Sequence, residues 1–173
     1  MDAITHAFSL NGAHLAWAVL TGHKIVENRQ FRMSPGWYAL ALTKQAITGV
    51  SDDKLYRDTF PSYPGFQVGA SLKGNIVGAV RISHSLPHAA CNDDFFASAD
   101  YKFKNVISEY VSFVDWTKPG VGRIPARGNF GAWPLAEATR STFRSVLKSV
   151  SDAGVLPTTT SASKVYPTYP ITA

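Results

Sequence analysis

The alternation of apolar and polar positions changes period several times along this chain, and each change marks an element. Residues 4–10 alternate, with Ile4, His6 and Phe8 on one face and Thr5, Ala7 and Ser9 on the other, which predicts a strand. Asn11 then offers a helix N-cap. Residues 12–21 place Ala13, Trp17 and Leu20 on one stripe with Ala16 beside them, the spacing of a short core-facing helix. Gly22 suits a left-handed ending, which reverses the chain and leaves Lys24 close to a helix C-terminus, where a cation is favoured. Residues 25–31 alternate again. A regular strand there puts Ile25, Glu27 and Arg29 on one face and Val26, Asn28 and Gln30 on the other. Lys24 and Glu27 then converge only if Lys24 lies on the turn before regular pairing, or if a bulge intervenes.

Further along, Met33-Ser34-Pro35-Gly36 reads as a turn and residues 37–43 (WYALALT) as a central strand. Ser51 caps a short helix over 52–59, followed by an irregular loop at Pro61, Pro64 and Gly65. After a turn around Lys73 and Gly74, residues 76–83 (IVGAVRIS) form a second strand, in which Gly78 marks a bend, a bulge or a close backbone approach. Residues 84–105 read as an insertion loop. Residues 106–116 (VISEYVSFVDW) form a third long strand, with Glu109 on the side of Ile107, Val111 and Phe113. Residues 124–133 (IPARGNFGAW) read as one strand broken by Pro125, Gly128 and Gly131. Residues 135–150 are the longest helix, with Leu135, Ala138, Phe143, Val146, Leu147 and Val150 as its core stripe and Thr142 at the edge. Arg140, Arg144 and Lys148 recur on another face as a basic ridge. The Thr/Ser/Pro-rich stretch 156–173 is expected to be a flexible tail or an extended arm.

The sum is an α+β domain over 1–155. About five or six strands make a small mixed, mostly antiparallel β-barrel, with a short helix after the first strand and a longer one near the C-terminus. Too few long crossover helices are present for a doubly wound parallel sheet.

Composition agrees with one globular domain. Hydrophobic residues make up 45% of the 173 and charged residues 17%, so the chain can bury a core without disulfides. A single cysteine excludes an internal disulfide and fits a reducing compartment. No apolar run is long enough for a membrane span, and no basic leader precedes an apolar stretch, so a cytoplasmic monomer is expected, with the nucleus open as well. The net charge of +5 is uneven. Residues 1–100 balance, whereas residues 101–173 carry nine Lys/Arg against four Asp/Glu, which accounts for all of it. A basic half fits a polyanionic partner, and equally an ordinary surface.

Four segments resemble the ASCH domain family of the PUA-like superfamily. Gly22, Lys24, Glu27 and Arg29 read G-x-K-x-x-E-x-R at the end of a short helix, and WYALALT follows as in that family. GNIVGAVRIS at 74–83 and GNFGAWPL at 128–135 resemble two further family segments. In order, the four span residues 8–150. The resemblance implies a curled barrel with a cleft between it and the first helix, and a nucleic-acid-binding module, RNA more than DNA, that needs no cofactor. The implied alternative is a small metal-independent hydrolase: an amidohydrolase acting on N-acylated cytidine, or a nuclease. The amidohydrolase members place a catalytic Thr three residues after the Lys. Here that position is Glu27, which counts against the same mechanism.

In the binding reading Lys24, Asn28 and Arg29 contact phosphate or a base edge, and Glu27 accepts from an exocyclic amine. In the enzyme reading Lys24 is the nucleophile or its activator and Glu27 carries the proton. The bland alternative is a structural ion pair. Arg127 and Asn129 are further base or phosphate contacts, and Trp133 is either a stacking platform or plain core. Arg140, Arg144 and Lys148 are phosphate-contact candidates or a solvated helix face. Glu109 is a second cleft carboxylate or a partner for Lys24. His84, His88 and Cys91 have ligand-like spacing without the paired cysteines of a structural zinc site, so no metal is assigned. Gly120-Val121-Gly122 lacks the third glycine of a nucleotide loop, and no G-x-S-x-G elbow is present.

Overall fold

Strands apolar on both faces belong in the middle of a sheet, and the two most apolar runs of this chain lie there side by side. The computed structural model describes residues 4–44, 48–65, 67, 70–88, 96, 100–117, 123–126 and 131–161. Among these the order is β1 (His6–Leu10), α1 (Ala13–Leu20), β2 (Val26–Arg29), β3 (Gly36–Leu42), α2 (Val50–Thr59), β4 (Asn75–Pro87), β5 (Phe103–Ser112), β6 (Ile124–Pro125), β7 (Ala132–Pro134), α3 (Glu137–Asp152) and β8 (Thr158–Thr159). The sheet runs β2-β5-β4-β3-β1-β7, with β6 on β4 and β8 on β5. The fold is α+β, with a mixed, strongly curled half-barrel sheet. β1 and β3 pair in parallel, Ala7 opposite Ala39, while the other pairings are antiparallel. No helix among the described residues is long and apolar enough to cross a membrane.

Curvature comes from register shifts. β3 and β4 slip at Leu40/Ala41, and β4 and β5 slip twice around Ile82, each slip adding local twist. Gly78 marks a close approach as well. A Cβ there would stand 2.5 Å from the Val111 carbonyl oxygen and 2.6 Å from Leu20 of α1. α1 is apolar on nearly every side and is buried accordingly. Ala16, Val19 and Leu20 face the main core, while Trp17 and Ala18 pack with Tyr56 of α2 and Tyr63. α3 docks through Phe143, whose ring meets Phe113 edge-on at 5.2 Å.

Several sequence-based expectations change. Asn11 does not cap α1; the cap position is Gly12, and the Asn11 side chain accepts from Thr43 Oγ1 at 3.2 Å. Ser51 does not cap α2, whose cap position is Gly49. Ala138 is exposed, because α3 begins at Glu137 and Leu135 enters the core from the preceding loop, its N–H donating to Thr5 O. The single broken strand at 124–133 is two strands in different places, β6 on β4 and β7 on β1. The count of strands rises to eight among the described residues because β6, β7 and β8 are too short to show a period. β4 runs on to Pro87 and β5 begins at Phe103, so both ends of the stretch read as an insertion loop lie in the ladder. The stretch read as a tail opens with β8 on β5, and Thr160 Oγ1 donates to Ile107 O at 2.6 Å.

Candidate functional site

The turn after α1 decides where the motif side chains go. Gly22 has φ 78°, a left-handed conformation in which its N–H reaches Val19 O at 3.2 Å. The Lys24 N–H then donates to Ala18 O at 2.8 Å, which turns Lys24 inward before the alternation of β2 begins. Glu27 and Arg29 share one face of β2, so all three ends meet. Lys24 Nζ lies 3.1 Å from Glu27 Oε2, and Arg29 Nε lies 2.9 Å from Glu27 Oε1. Lys24 Nζ also donates to Val26 O, and Arg29 Nη2 donates to Ser9 O at 2.8 Å. Phe96 and Phe8 offer their ring faces to the two cations, at 5.9 and 5.4 Å. Lys24 and Glu27 are only 3% and 4% exposed and Arg29 is partly exposed, so one largely desolvated carboxylate balances two cations.

Asn28 points to the other face, where its Nδ2 donates to Phe96 O at 2.7 Å. Beside Glu27, directly opposite it on β5, sits the fully buried Asn105. Its Nδ2 donates to Glu27 O at 3.2 Å and to Phe31 O at 3.5 Å, and its Oδ1 accepts from the Met33 N–H at 2.8 Å and from Ser85 Oγ at 2.6 Å. One side chain thus fixes the backbone of the loop that leaves β2. The sequence reading missed Asn105; the signal was a polar residue heading the apolar run Asn105-Val106-Ile107.

That loop forms a wall of an open groove of about 900 Å³. Phe31, Arg32, Trp37 and Tyr38 line it from the loop and β3, His6 from β1, and Arg81 from β4. No Asp or Glu lines it among the described residues. Arg32 lies over the Phe103 ring at 5.1 Å, and Arg81 Nη1 is 2.6 Å from Glu109 Oε1. Tyr38 donates to Ser34 O at 3.0 Å, and burial holds its phenol above the ordinary tyrosine value, so it stays neutral. Lys24, Glu27, Asn28 and Arg29 do not line it.

The remaining candidates scatter. Trp133 is buried in the main core opposite Ala7. Arg127 and Asn129 lie outside the described residues, as do Cys91 and Gly120-Val121-Gly122. Arg140 and Arg144 both pair with Glu137, at 2.7 and 3.5 Å, and Lys148 pairs with Asp152 at 2.5 Å. The ridge is thereby largely neutralised by its own helix. Glu109 pairs with Arg81, a residue the sequence reading passed over although it is a lone cation in an apolar run. Among the described residues no three His, Cys, Asp or Glu side chains gather as a metal site. A scan against protein-family models finds no match for this chain, and a search of curated proteins finds none.

Proposed function

We propose that this half-barrel is of the PUA-like, ASCH type and binds nucleic acid, RNA in preference to DNA, through the groove that the G-x-K-x-x-E-x-R turn supports. The observation that carries the reading is the groove's lining: Arg32, Arg81 and His6 beside the half-buried Trp37 and the exposed Phe31, with no carboxylate among the described lining residues. Arginines beside accessible aromatic rings are what a single strand needs, charge for phosphate and a flat apolar face for a base. The motif acts as a brace. Its buried ion pairs tie β2 to β1 through Arg29 and Ser9, and the loop it launches is fixed by Asn105. The burial of Lys24 and Glu27 and their engagement with each other fit this bracing role better than the hydrolase alternative.

The test is fluorescence anisotropy with short labelled oligouridylate, oligoadenylate and single-stranded DNA. Binding at low salt that weakens steeply as salt rises, RNA being bound more tightly than DNA, is the expected result. Absence of binding to every probe at low salt overturns the reading.

A further inference from the structure

Arg81 is the cation at the centre of a row. Trp37 on β3 lies directly opposite Arg81 on β4, and Arg81 lies directly opposite Glu109 on β5. Residues paired in this way present their side chains on one face, so Trp37, Arg81 and Glu109 stand side by side across three strands. Trp37 and Arg81 line the groove and Glu109 does not, yet Glu109 Oε1 reaches Arg81 Nη1 at 2.6 Å. Trp37 is half-buried against the main core, which keeps its ring in place, whereas the Arg81 side chain is 53% exposed.

Resting on the nucleic-acid reading, we infer that Trp37 and Arg81 form the nucleotide subsite of the groove, the base stacking on Trp37 and the phosphodiester sitting on Arg81, and that Glu109 occupies the guanidinium when no strand is bound. A carboxylate and a phosphate offer a guanidinium the same pair of acceptor oxygens, so each displaces the other. The exposed Arg81–Glu109 pair is of a kind that contributes little to stability, so exchange costs little. Glu109 is then an internal competitor that sets the affinity and the salt response of the site. Its backbone is fixed between two strands, opposite Arg81 on β4 and opposite Thr159 on β8, and its carboxylate is held by Arg81.

The experiment compares wild type, Glu109→Gln, Arg81→Gln and the double variant in anisotropy titrations with labelled oligouridylate, with uridine 5′-monophosphate as a competing ligand. Circular dichroism and thermal unfolding check that each variant is folded. The expected result is that Glu109→Gln binds the oligonucleotide about two- to fivefold more tightly, the range an exposed ion pair allows. Arg81→Gln binds about tenfold more weakly, as loss of a charged contact implies. Its salt slope flattens by about 0.7, the share of one phosphate on a single strand. In the double variant the Glu109 effect vanishes, because its target is gone. The monophosphate, which carries one base and one phosphate, is expected to compete on wild type and to compete less on Arg81→Gln; no competition on wild type, or competition undiminished in Arg81→Gln, overturns the inference. Unchanged or weaker binding by Glu109→Gln, or an equal gain in the absence of Arg81, overturns the inference while leaving the nucleic-acid reading in place. No binding by any variant at low salt overturns both.

Discussion

Glu27 holds two cations with one carboxylate, and the three residues are not equivalent. Replacing Glu27 leaves Lys24, 3% exposed, without a counter-charge. Replacing Lys24 leaves Glu27 still paired with Arg29. Stranding a buried charge costs far more than trimming a shared pair. Glu27→Gln should therefore lose about 3–5 kcal/mol, and Lys24→Met a small fraction of that. Urea unfolding of the two variants, read as midpoint shifts at constant slope, checks this; equal losses would sink it. The convergence of Lys24 with Glu27 was legible only as a condition, since strand alternation separates them and the turn at Gly22 reunites them. Arg81 and Asn105 were not legible as site residues. Their partners, Glu109 at 28 positions away and the Met33 N–H at 72, are brought near only by the pairing of strands distant in sequence, which a local window does not show.

At the scale of elements, β4 and α1 meet where a side chain is missing. Gly78 lets Leu20 lie on the sheet while the Val111 carbonyl passes behind it. In Gly78→Ala the new methyl meets a backbone oxygen that cannot rotate away, so the variant should lose about 1–3 kcal/mol, the cost of overpacking. Combining it with Leu20→Ala should not restore stability, because the carbonyl remains. Thermal unfolding of the two variants decides it: recovery in the double variant would place the obstruction at Leu20 instead. The types of the long elements followed from their periods, which extend over enough residues to be read. The parallel β1–β3 pairing and the positions of β6, β7 and β8 did not. A two-residue strand has no period, and β8 exists because the outer edge of β5 beyond β2 leaves backbone groups to be paired.

Over the whole molecule, charge and titration act in different places. The excess of +5 belongs to residues 101–173, yet the groove cations Arg32 and Arg81 come from the balanced part of the chain, and the basic ridge of α3 is paired off within its helix. Net charge therefore does not locate the groove. pH acts instead where α1 meets α2. His14 is buried there, its Nδ1 3.0 Å from Thr48 Oγ1 and its ring edge-on to Tyr56 at 4.8 Å. Burial holds its pKa below the ordinary imidazole value, and the nearby Asp52 and Asp53 carboxylates oppose that without reversing it. His84, whose pKa is also lowered by burial, acts in the same direction. A lowered imidazole pKa means that the unfolded chain takes up the proton first as pH falls. The stabilisation is complete above the unfolded value of about 6.5 and is lost progressively below it, toward the folded value. The thermal midpoint should fall as pH is lowered from 7 toward 5, and His14→Gln, which keeps a hydrogen-bonding group toward Thr48 but no titration, should fall less steeply over that window. Carboxylates protonate in both proteins, so the difference in slope isolates His14. Parallel curves would show that its proton uptake is the same folded and unfolded, and that the α1–α2 interface does not sense pH through this residue.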